Sequence, residues 1–282
     1  MPSSFAWAQP ALPASLLDDY AQLHRNAQGD AFNLPFIVRS NEEGKRLSAE
    51  VVGVIDQPLK DVAQALGDVA NWCDFMPLNF NVKACIYRRQ KSDDELTLFL
   101  GRKFYQAPDE AHALNYRYQI KQVNGDGITI VMQADEGPMG TANYQLELDA
   151  VAVDGGTLMR VSMGYTGSWL SGLASSAYLA TLGRNKQGFS VQGWDADGQP
   201  IFIRGPKAVI ERNAMRYLFA MQAYLETGLM PAQERFAART RRWFELTEVY
   251  AAQLHEMERE EYLDAKQRER HNQTQLQQEV GL

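Results

Sequence analysis

The sequence predicts an α+β fold in which a curved antiparallel sheet wraps around a long helix near the C-terminus. Three observations indicate this class. Apolar and polar residues alternate in six consecutive segments between residues 82 and 167, as in half-buried strands. Short stretches rich in Gly, Asp, Asn and Pro connect these segments, which favours antiparallel neighbours. Residues 207–227 then carry apolar side chains at helical spacing.

The elements before the sheet are predicted as helices and one hairpin. Residues 13–25 form a short amphipathic helix, and residues 34–39 and 46–55 alternate as the two strands of a hairpin. Asp56 is a capping residue that opens a helix, and Pro77 ends it. A helix therefore directly precedes the six-stranded meander.

The meander and the elements after it complete the prediction. The six strands are expected at residues 82–89, 95–105, 112–122, 127–135, 141–151 and 157–167. A second hairpin, at residues 188–194 and 200–204, precedes the long helix, and an extra helical tail begins at Pro231. The predicted division of the chain is an N-terminal helical segment at 1–30, a main domain at 31–230 and a C-terminal helical extension at 231–282.

Composition and charge exclude several classes of protein. The chain has 282 residues, of which 45% are hydrophobic and 22% charged, as is typical of globular proteins. Its net charge of -7 disfavours binding of the whole molecule to nucleic acid. No apolar run approaches the roughly 20 residues of a membrane span. The histidines are scattered and no metal-binding or nucleotide-binding motif is present, so no cofactor is predicted.

Two charged residues fall on the apolar side of predicted strands. Read at period two, Arg102 shares a face with Leu98, and Glu136 shares one with Met132. A buried charge is costly unless it is paired or faces a polar cavity, so we expect a ligand pocket in which these residues anchor polar groups. The alternative is that the inward–outward alternation of side chains shifts by one residue. Gly101 permits a bulge that turns Arg102 outward, and Glu136 lies at a strand end.

Aromatic and sulfur-containing side chains supply the rest of the predicted pocket. Aromatic rings with a polar tip suit an amphipathic ligand, and methionine adapts its shape to one. The predicted lining residues are Tyr116, Tyr118, Met132, Tyr144, Tyr165 and Trp169 from the strands, with Asn213 and Tyr217 from the long helix. Ordinary core packing is the alternative for these residues. A solvated flank is favoured for the helix segment that contains Glu211, Arg212 and Arg216.

Cys73 and Cys85 are the only cysteines, and they lie 12 residues apart. They either form a disulfide, which a chain folding back after the helix permits, or remain two buried thiols. The N-terminus as written is not a signal peptide, although Ala6-Trp7-Ala8 has the small-x-small form of a cleavage site. A disulfide favours an exported, periplasmic protein, with a cytoplasmic one as the alternative.

The order of elements resembles that of a known fold family. A strand, a helix opening at Pro58, six meandering strands and a long late helix form the order of the helix-grip fold. Residues 70–77, ANWCDFMP, resemble the aromatic-rich helix exit of the START-like (SRPBCC) superfamily, and the resemblance covers roughly residues 45–227. Residues 178–184 and 210–217 also resemble an uncharacterised group of bacterial exported proteins with this fold.

The resemblance implies a ligand cavity between the concave face of the sheet and the late helix. It would hold a lipid, a sterol-like molecule or a polycyclic molecule. Steroidogenic acute regulatory proteins have a buried arginine–carboxylate pair in this cavity, and Arg102 and Glu136 resemble that pair in type and facing. The resemblance to the exported group favours a trimmed secretory leader and the disulfide.

Three functions follow as hypotheses. The first is binding or transport of an apolar ligand. The second is a cyclase-type or hydrolase-type enzyme that uses Arg102 and Glu136 as electrostatic and acid–base groups. The third is a partner-binding module that uses the charged C-terminal helix, for which no oligomeric state is implied. A basic group at residues 239–242 beside Trp243 suggests transient membrane contact, with a solvated or oligomeric helix as the favoured alternative.

Overall fold

The structure is a computed structural model that describes residues 16, 18–23, 35–123, 127–167 and 186–281. One eight-stranded antiparallel sheet forms its centre. The strands are β1 (Phe36–Glu43), β2 (Arg46–Ile55), β3 (Val82–Arg88), β4 (Asp94–Leu100), β5 (His112–Val123), β6 (Gly127–Glu136), β7 (Ala142–Val153) and β8 (Gly156–Thr166). Their order across the sheet is β1-β2-β8-β7-β6-β5-β4-β3, so β1 and β3 are its edges.

Helices and a second hairpin accompany the sheet. The helices are α1 (Leu59–Leu66), α2 (Val69–Phe75), α3 (Gly205–Glu226), α4 (Ala232–Glu248), α5 (Ala251–Leu254) and α6 (Arg259–Glu279). The hairpin consists of β9 (Val191–Trp194) and β10 (Pro200–Phe202). The long helix α3 follows the sheet as predicted and lies against β1, β2 and β8. The predicted α+β class is therefore confirmed, together with the meander and both hairpins.

Alternation of side chains explains why one face of the sheet is buried against α3. In β5, Leu114, Tyr116 and Tyr118 are buried, whereas the residues between them are exposed. This is the concave face of the curved sheet. α3 supplies facing apolar side chains, among them Ala214 and Met221. Full burial of one large apolar side chain contributes about 1.5–3 kcal/mol, so this shared core is the main stabilising feature.

α1 and α2 replace the single helix that is predicted after Asp56. Asp68 caps α2 by accepting a hydrogen bond from the Ala70 N–H at 2.9 Å. A side chain at Gly67 would lie 2.6 Å from the Ala63 carbonyl oxygen, so the turn between the helices requires glycine. A polar cap and a glycine thus divide the predicted helix in two.

A disulfide joins α2 to the edge strand β3. Cys73 and Cys85 are bonded, with their Cα atoms 4.9 Å apart. Both residues are buried. Of the two alternatives that the sequence leaves open, the disulfide is the one found in the structure.

The N-terminal helical segment, residues 18–23, packs on the opposite face of the sheet. Leu23 packs with Ile37 of β1 and Leu158 of β8 in a small separate core. Asp19 accepts a hydrogen bond from Arg39 of β1 at 2.5 Å. The sheet is therefore covered on both faces near β1 and β8.

The C-terminal extension packs on α3. Trp243 of α4 is fully buried, and its indole N–H donates to the Arg216 carbonyl oxygen at 3.0 Å. Its ring stacks on Tyr262 of α6, with ring centroids 5.2 Å apart. The expectation of a solvated or oligomeric tail helix is wrong for this side of α6, because the aromatic side chains of the tail complete the core.

Two arginines of the basic group beside Trp243 form ion pairs within the chain. Arg239 is buried and donates to Asp74 at 3.0 Å, and Arg242 pairs with Glu226 at 2.5 Å. Trp243 is buried, whereas Arg241 is exposed and the Arg242 side chain is 40% exposed. None of the described helices is long and apolar enough to span a bilayer.

α6 covers the outer edge of β3. Gln273 accepts a hydrogen bond from the Cys85 N–H and donates one to the Cys73 carbonyl oxygen, each at 2.9 Å. One turn later, Gln277 accepts from the Tyr87 N–H at 3.0 Å and donates to the Tyr87 carbonyl oxygen at 3.1 Å. These side chains satisfy backbone groups that are otherwise open at the edge of a sheet.

Three buried charges fix α6 against β3. Glu269 accepts from Lys83 at 2.8 Å and from Lys266 at 2.7 Å. Each lysine also donates to two backbone carbonyl oxygens. Lys83 donates to those of Phe80 and Phe104, and Lys266 donates to those of Asn79 and Val82. Burial lowers the pKa of Lys266 to about 8, although Glu269 opposes that shift. The Glu269 carboxylate therefore supplies the counter-charge for two buried ammonium groups.

Replacing this carboxylate is expected to destabilise the fold strongly. Glu269→Gln leaves two buried ammonium groups without a counter-charge, and breaking a buried ion pair costs about 3–5 kcal/mol. The free energy of unfolding in urea measures the loss. Glu261→Gln, at an exposed position of the same helix, is the control and should change little. Equal unfolding midpoints for the two variants would contradict the buried arrangement.

Candidate functional site

Four tyrosine side chains come together between the concave face and α3. They are Tyr116 of β5, Tyr144 of β7, Tyr165 of β8 and Tyr217 of α3, and we call them the tyrosine cluster. The rings of Tyr144 and Tyr165 stack with centroids 5.1 Å apart and planes inclined by 17°. The phenol groups of Tyr116, Tyr144 and Tyr217 lie close enough to influence one another's ionisation.

Three hydroxyl groups of the tyrosine cluster, those of Tyr116, Tyr144 and Tyr217, remain protonated at neutral pH. Burial raises the pKa of Tyr116 and Tyr217 well above the ordinary value, and the neighbouring phenols reinforce the effect. Burial also raises the pKa of Tyr144, against a 2.8 Å hydrogen bond between its hydroxyl and that of Thr141. Each protonated phenol can donate one hydrogen bond and accept others.

Apolar side chains surround the tyrosine cluster. Met132 and Ala134 of β6 are buried on the concave face, and Ala134 pairs across the sheet with Tyr144. Tyr165 pairs with Leu47 of β2, which is also buried. The result is an apolar surface with a few polar tips, which is the usual composition of a site for an amphipathic small molecule.

The other predicted lining residues have different surroundings. The Tyr118 hydroxyl donates to the Leu66 carbonyl oxygen at 2.8 Å, and its ring contacts Trp72 at a centroid distance of 5.8 Å. Tyr118 therefore supports α1 and α2. Asn213 is half-buried on α3, one turn before Tyr217. Trp169 lies outside the described residues.

Arg102 and Glu136 do not form the predicted polar pair. Arg102 is exposed, because β4 ends before Gly101 and the Gly101 N–H donates to the Asn81 carbonyl oxygen at 2.8 Å. Its guanidinium lies 5.8 Å from the ring centroid of Phe104. Glu136 is exposed at the end of β6, beyond the buried part of that strand. Within the described part of the chain no ion pair joins the two residues.

The charged side of α3 is buried instead of solvated. Glu211, Arg212 and Arg216 are each no more than 3% exposed. The Glu211 carboxylate accepts from the N–H groups of Phe189 at 2.7 Å and Ser190 at 3.0 Å. The favoured sequence interpretation is wrong here because the tail and the chain before the second hairpin cover this side of the helix.

A basic cluster surrounds one buried carboxylate next to α3. We define it as Lys103, Lys186 and Arg216, which lie 2.5, 3.0 and 2.6 Å from Glu256. The side chains of Glu256 and Arg216 are 3% exposed, whereas those of Lys103 and Lys186 are 21% and 25% exposed. The cluster thus has a buried end and an end that solvent or a ligand can reach.

Electrostatic effects in the basic cluster are strong. Burial by itself raises the pKa of Glu256, but attraction to Arg216 and Lys103 outweighs it and lowers the pKa to about 2. Burial lowers the pKa of Lys186, Glu256 opposes that shift, and repulsion from Lys103 and Arg212 reinforces it. Positive charge therefore dominates this region.

Sequence reasoning missed the basic cluster entirely. Its members come from the turn after β4, the chain before β9 and the helix α3, and the Glu256 that they surround lies in the loop between α5 and α6. Three of these positions are in loops, where periodicity does not predict the direction in which a side chain points. Arg216 and Glu256 are 40 residues apart, and only the return of the tail brings them together.

A surface depression lies away from the tyrosine cluster. An open groove of about 290 Å³ is lined by Arg39, Arg46, Ser48 and Glu50, among others, on β1, β2, β7 and β8. The groove is open to solvent, and none of its lining residues belongs to the tyrosine cluster. No group of three or more metal-ligating side chains occurs among the described residues.

Comparison with known proteins gives structural likenesses only. No family model and no curated protein matches the chain. A STAR-related lipid transfer protein from Xanthomonas axonopodis is 15% identical, with 70% of this chain and 96% of that one covered and a TM-score of 0.43. A START superfamily protein from Mycobacterium smegmatis is 14% identical, with 49% and 90% covered and a TM-score of 0.32. An aromatase/cyclase from Streptomyces sp. R1128 is 13% identical, with 73% and 94% covered and a TM-score of 0.34.

The chain has a helix-grip fold, with a curved antiparallel sheet around a long helix near the C-terminus. The strand order, the helices between β2 and β3 and the position of α3 decide this. The likenesses themselves, with TM-scores below 0.5, carry no argument about function, since one fold serves many functions.

Removing the Glu256 charge is expected to change stability in acid. The carboxylate has a folded-state pKa of about 2 against an ordinary value of 4.5. Its ionised form therefore stabilises the fold above pH 4.5, and this contribution is lost as the pH falls toward 2. The difference corresponds to roughly 3 kcal/mol. Glu256→Gln should lower the unfolding free energy by about that amount at neutral pH and remove the corresponding acid-dependent loss.

Urea unfolding between pH 2 and pH 7 measures this effect. Glu258→Gln, at an exposed position two residues further along, is the matched control. If wild type and Glu256→Gln lost stability in parallel as the pH fell, another group would be responsible.

Proposed function

We propose that the protein binds, and carries, an apolar or amphipathic small molecule between the concave face and α3. The observation that supports this most directly is the tyrosine cluster, four phenol groups on an otherwise apolar surface. The ligand class that we infer is a lipid, a sterol-like molecule or a polycyclic molecule with at least one polar group. Such a group can exchange its hydrogen bonds with water for hydrogen bonds with buried phenols.

The chemistry of the tyrosine cluster favours binding over reaction. The phenols of Tyr116 and Tyr217 stay neutral at physiological pH, so they act as hydrogen-bonding anchors and not as bases. The stacked rings of Tyr144 and Tyr165 supply rigid apolar area with little conformational freedom to lose. These properties suit a carrier that must hold its ligand unchanged.

The two alternative functions have less support. The cyclase or hydrolase hypothesis assigned its chemistry to Arg102 and Glu136, which are both exposed, so we do not extend the proposal to turnover. The partner-binding hypothesis relied on the tail, whose residues Trp243, Tyr262 and Glu269 are buried within this chain. That use of the tail favours a structural role.

Removing individual hydroxyl groups is expected to weaken ligand binding. Delipidated protein is titrated with dodecanol against a neutral dye, N-phenyl-1-naphthylamine, and displacement is followed by fluorescence. Tyr116→Phe and Tyr217→Phe should each weaken dodecanol binding by about two- to tenfold, the value of one hydrogen bond. Dye binding should stay the same because the dye requires apolar surface only.

Tyr250→Phe is the matched control, because Tyr250 packs among Phe36, Phe189 and Phe219, outside the tyrosine cluster. Weakening of dodecanol binding by the control as well would show that hydroxyl loss acts through stability. Failure of the dye, dodecanol and a panel of sterols and polycyclic molecules to bind would overturn the proposed function.

We also propose that the protein is exported to an oxidising compartment. The disulfide between Cys73 and Cys85 supports this location, since disulfides persist mainly outside the cytosol. Fractionation of the native host, with alkylation of free thiols at lysis, is the test. We expect recovery in the periplasmic fraction without reactive thiols. Cytoplasmic recovery with two alkylated cysteines would contradict the proposal.

A further inference from the structure

The basic cluster carries more positive charge than its own carboxylate balances. Lys103, Lys186 and Arg216 all lie within 3.0 Å of Glu256. Three cations and one carboxylate give these four residues a net charge of +2. Arg212, one turn earlier on α3, is buried and adds to the positive potential at Lys186. An anion from outside the chain is the natural complement to such a group.

The ion pairs described for Lys103, Lys186 and Arg216 are all made with Glu256, and Lys186 also donates to the His255 carbonyl oxygen. Glu211 is the acidic residue of α3 closest to the cluster in sequence, and its carboxylate already accepts from the hydroxyls of Ser40 and Ser190, each at 2.6 Å.

Arg216 has a buried donor without an acceptor. Its side chain is 3% exposed, and one terminal nitrogen donates to Glu256 at 2.6 Å and to the Leu254 carbonyl oxygen at 3.3 Å. Its Nε has no hydrogen-bond partner. Buried donors in folded proteins are almost always satisfied, so an unsatisfied cationic donor indicates an acceptor that the chain does not supply.

The basic cluster adjoins the tyrosine cluster on α3. Tyr217 directly follows Arg216, and the Arg216 charge opposes the rise in the Tyr217 pKa that burial causes. Lys103 and Lys186 are about one-fifth to one-quarter exposed, so a ligand group can reach them without breaking the Arg216–Glu256 pair. A molecule that spans both clusters would contact phenols with its body and cations with its end.

We propose that the basic cluster binds the carboxylate or phosphate group of an amphipathic ligand whose apolar part contacts the tyrosine cluster. This inference rests on the proposed function and narrows the ligand class to anionic lipids. Lys103 and Lys186 supply charge-assisted hydrogen bonds, and the Arg216 side chain adds charge behind them. A free anion such as inorganic phosphate has the same chemistry, so the test must separate the two sources.

The experiment compares ligands that differ only in charge. Delipidated full-length protein at pH 8 is titrated with dodecanoate, with dodecanol and with inorganic phosphate, against the neutral naphthylamine dye and by calorimetry. Dodecanoate is expected to bind about ten- to a hundredfold more tightly than dodecanol, as charge-assisted hydrogen bonds imply. The double variant Lys103→Met/Lys186→Met should remove this preference and leave dodecanol binding unchanged. Lys91→Met, at an exposed position in the turn before β4, is the matched control.

The outcomes distinguish the inference from the proposed function. Equal affinity of wild type for dodecanoate and dodecanol, or an unchanged preference in the double variant, would overturn the inference while the proposed function stands. Binding of inorganic phosphate that the double variant abolishes, without a dodecanoate preference, would also overturn it by identifying a free-anion site. Failure of every ligand to bind would overturn both.

A salt series with wild-type protein covers the case in which the double variant does not fold. Raising the salt concentration from 50 to 500 mM is expected to weaken dodecanoate binding by about tenfold and dodecanol binding hardly at all, because salt screens partly exposed charges. Equal salt sensitivity of the two ligands would overturn the inference without any substitution.

Discussion

The burial of α3 from two sides is the constraint on which the rest of the structure depends. The concave face covers one side of the helix, where Ala214 and Met221 contribute to the core. The tail covers the other side, with Trp243 donating to the Arg216 carbonyl oxygen. Because both sides are covered, every charged residue of this helix segment must find its partners inside the protein. That requirement brings together chain segments that are distant in sequence.

Two sets of buried charges result, and they differ in how fully they are satisfied. Around Glu269, the ammonium groups of Lys83 and Lys266 each find the carboxylate and two backbone carbonyl oxygens. Around Glu256, the Nε of Arg216 is left over. The closed set around Glu269 holds α6 against β3. The open set is the one suited to a ligand.

Local patterns predicted the fold well, and long-range contacts limited what could be predicted of the site. The strands followed from alternation, which depends on neighbouring residues only. Arg102 is exposed because β4 ends before Gly101, which agrees with the outward-facing alternative that the sequence left open and not with the pocket-lining one. Tyr217 was predicted as a lining residue from its position on the helix stripe. Glu256 was not, because its partners become neighbours only when the tail folds back, and its own loop has no periodic pattern.

The glutamine contacts along β3 determine what the tail can tolerate. Gln273 and Gln277 are four residues apart on a helix, a rise of about 6.0 Å, while their partners Cys85 and Tyr87 are two residues apart on a strand, about 6.8 Å. The spacing along the helix therefore matches the spacing along the strand for one such step, and the two diverge over further steps. A helix can therefore cover this edge over a short length only. Unlike an added strand, the helix presents no row of open backbone groups to which a further strand could bind. Inserting a single residue between Glu269 and Gln273 would rotate both glutamines by about 100° away from the sheet, reopening an edge at which chains can associate.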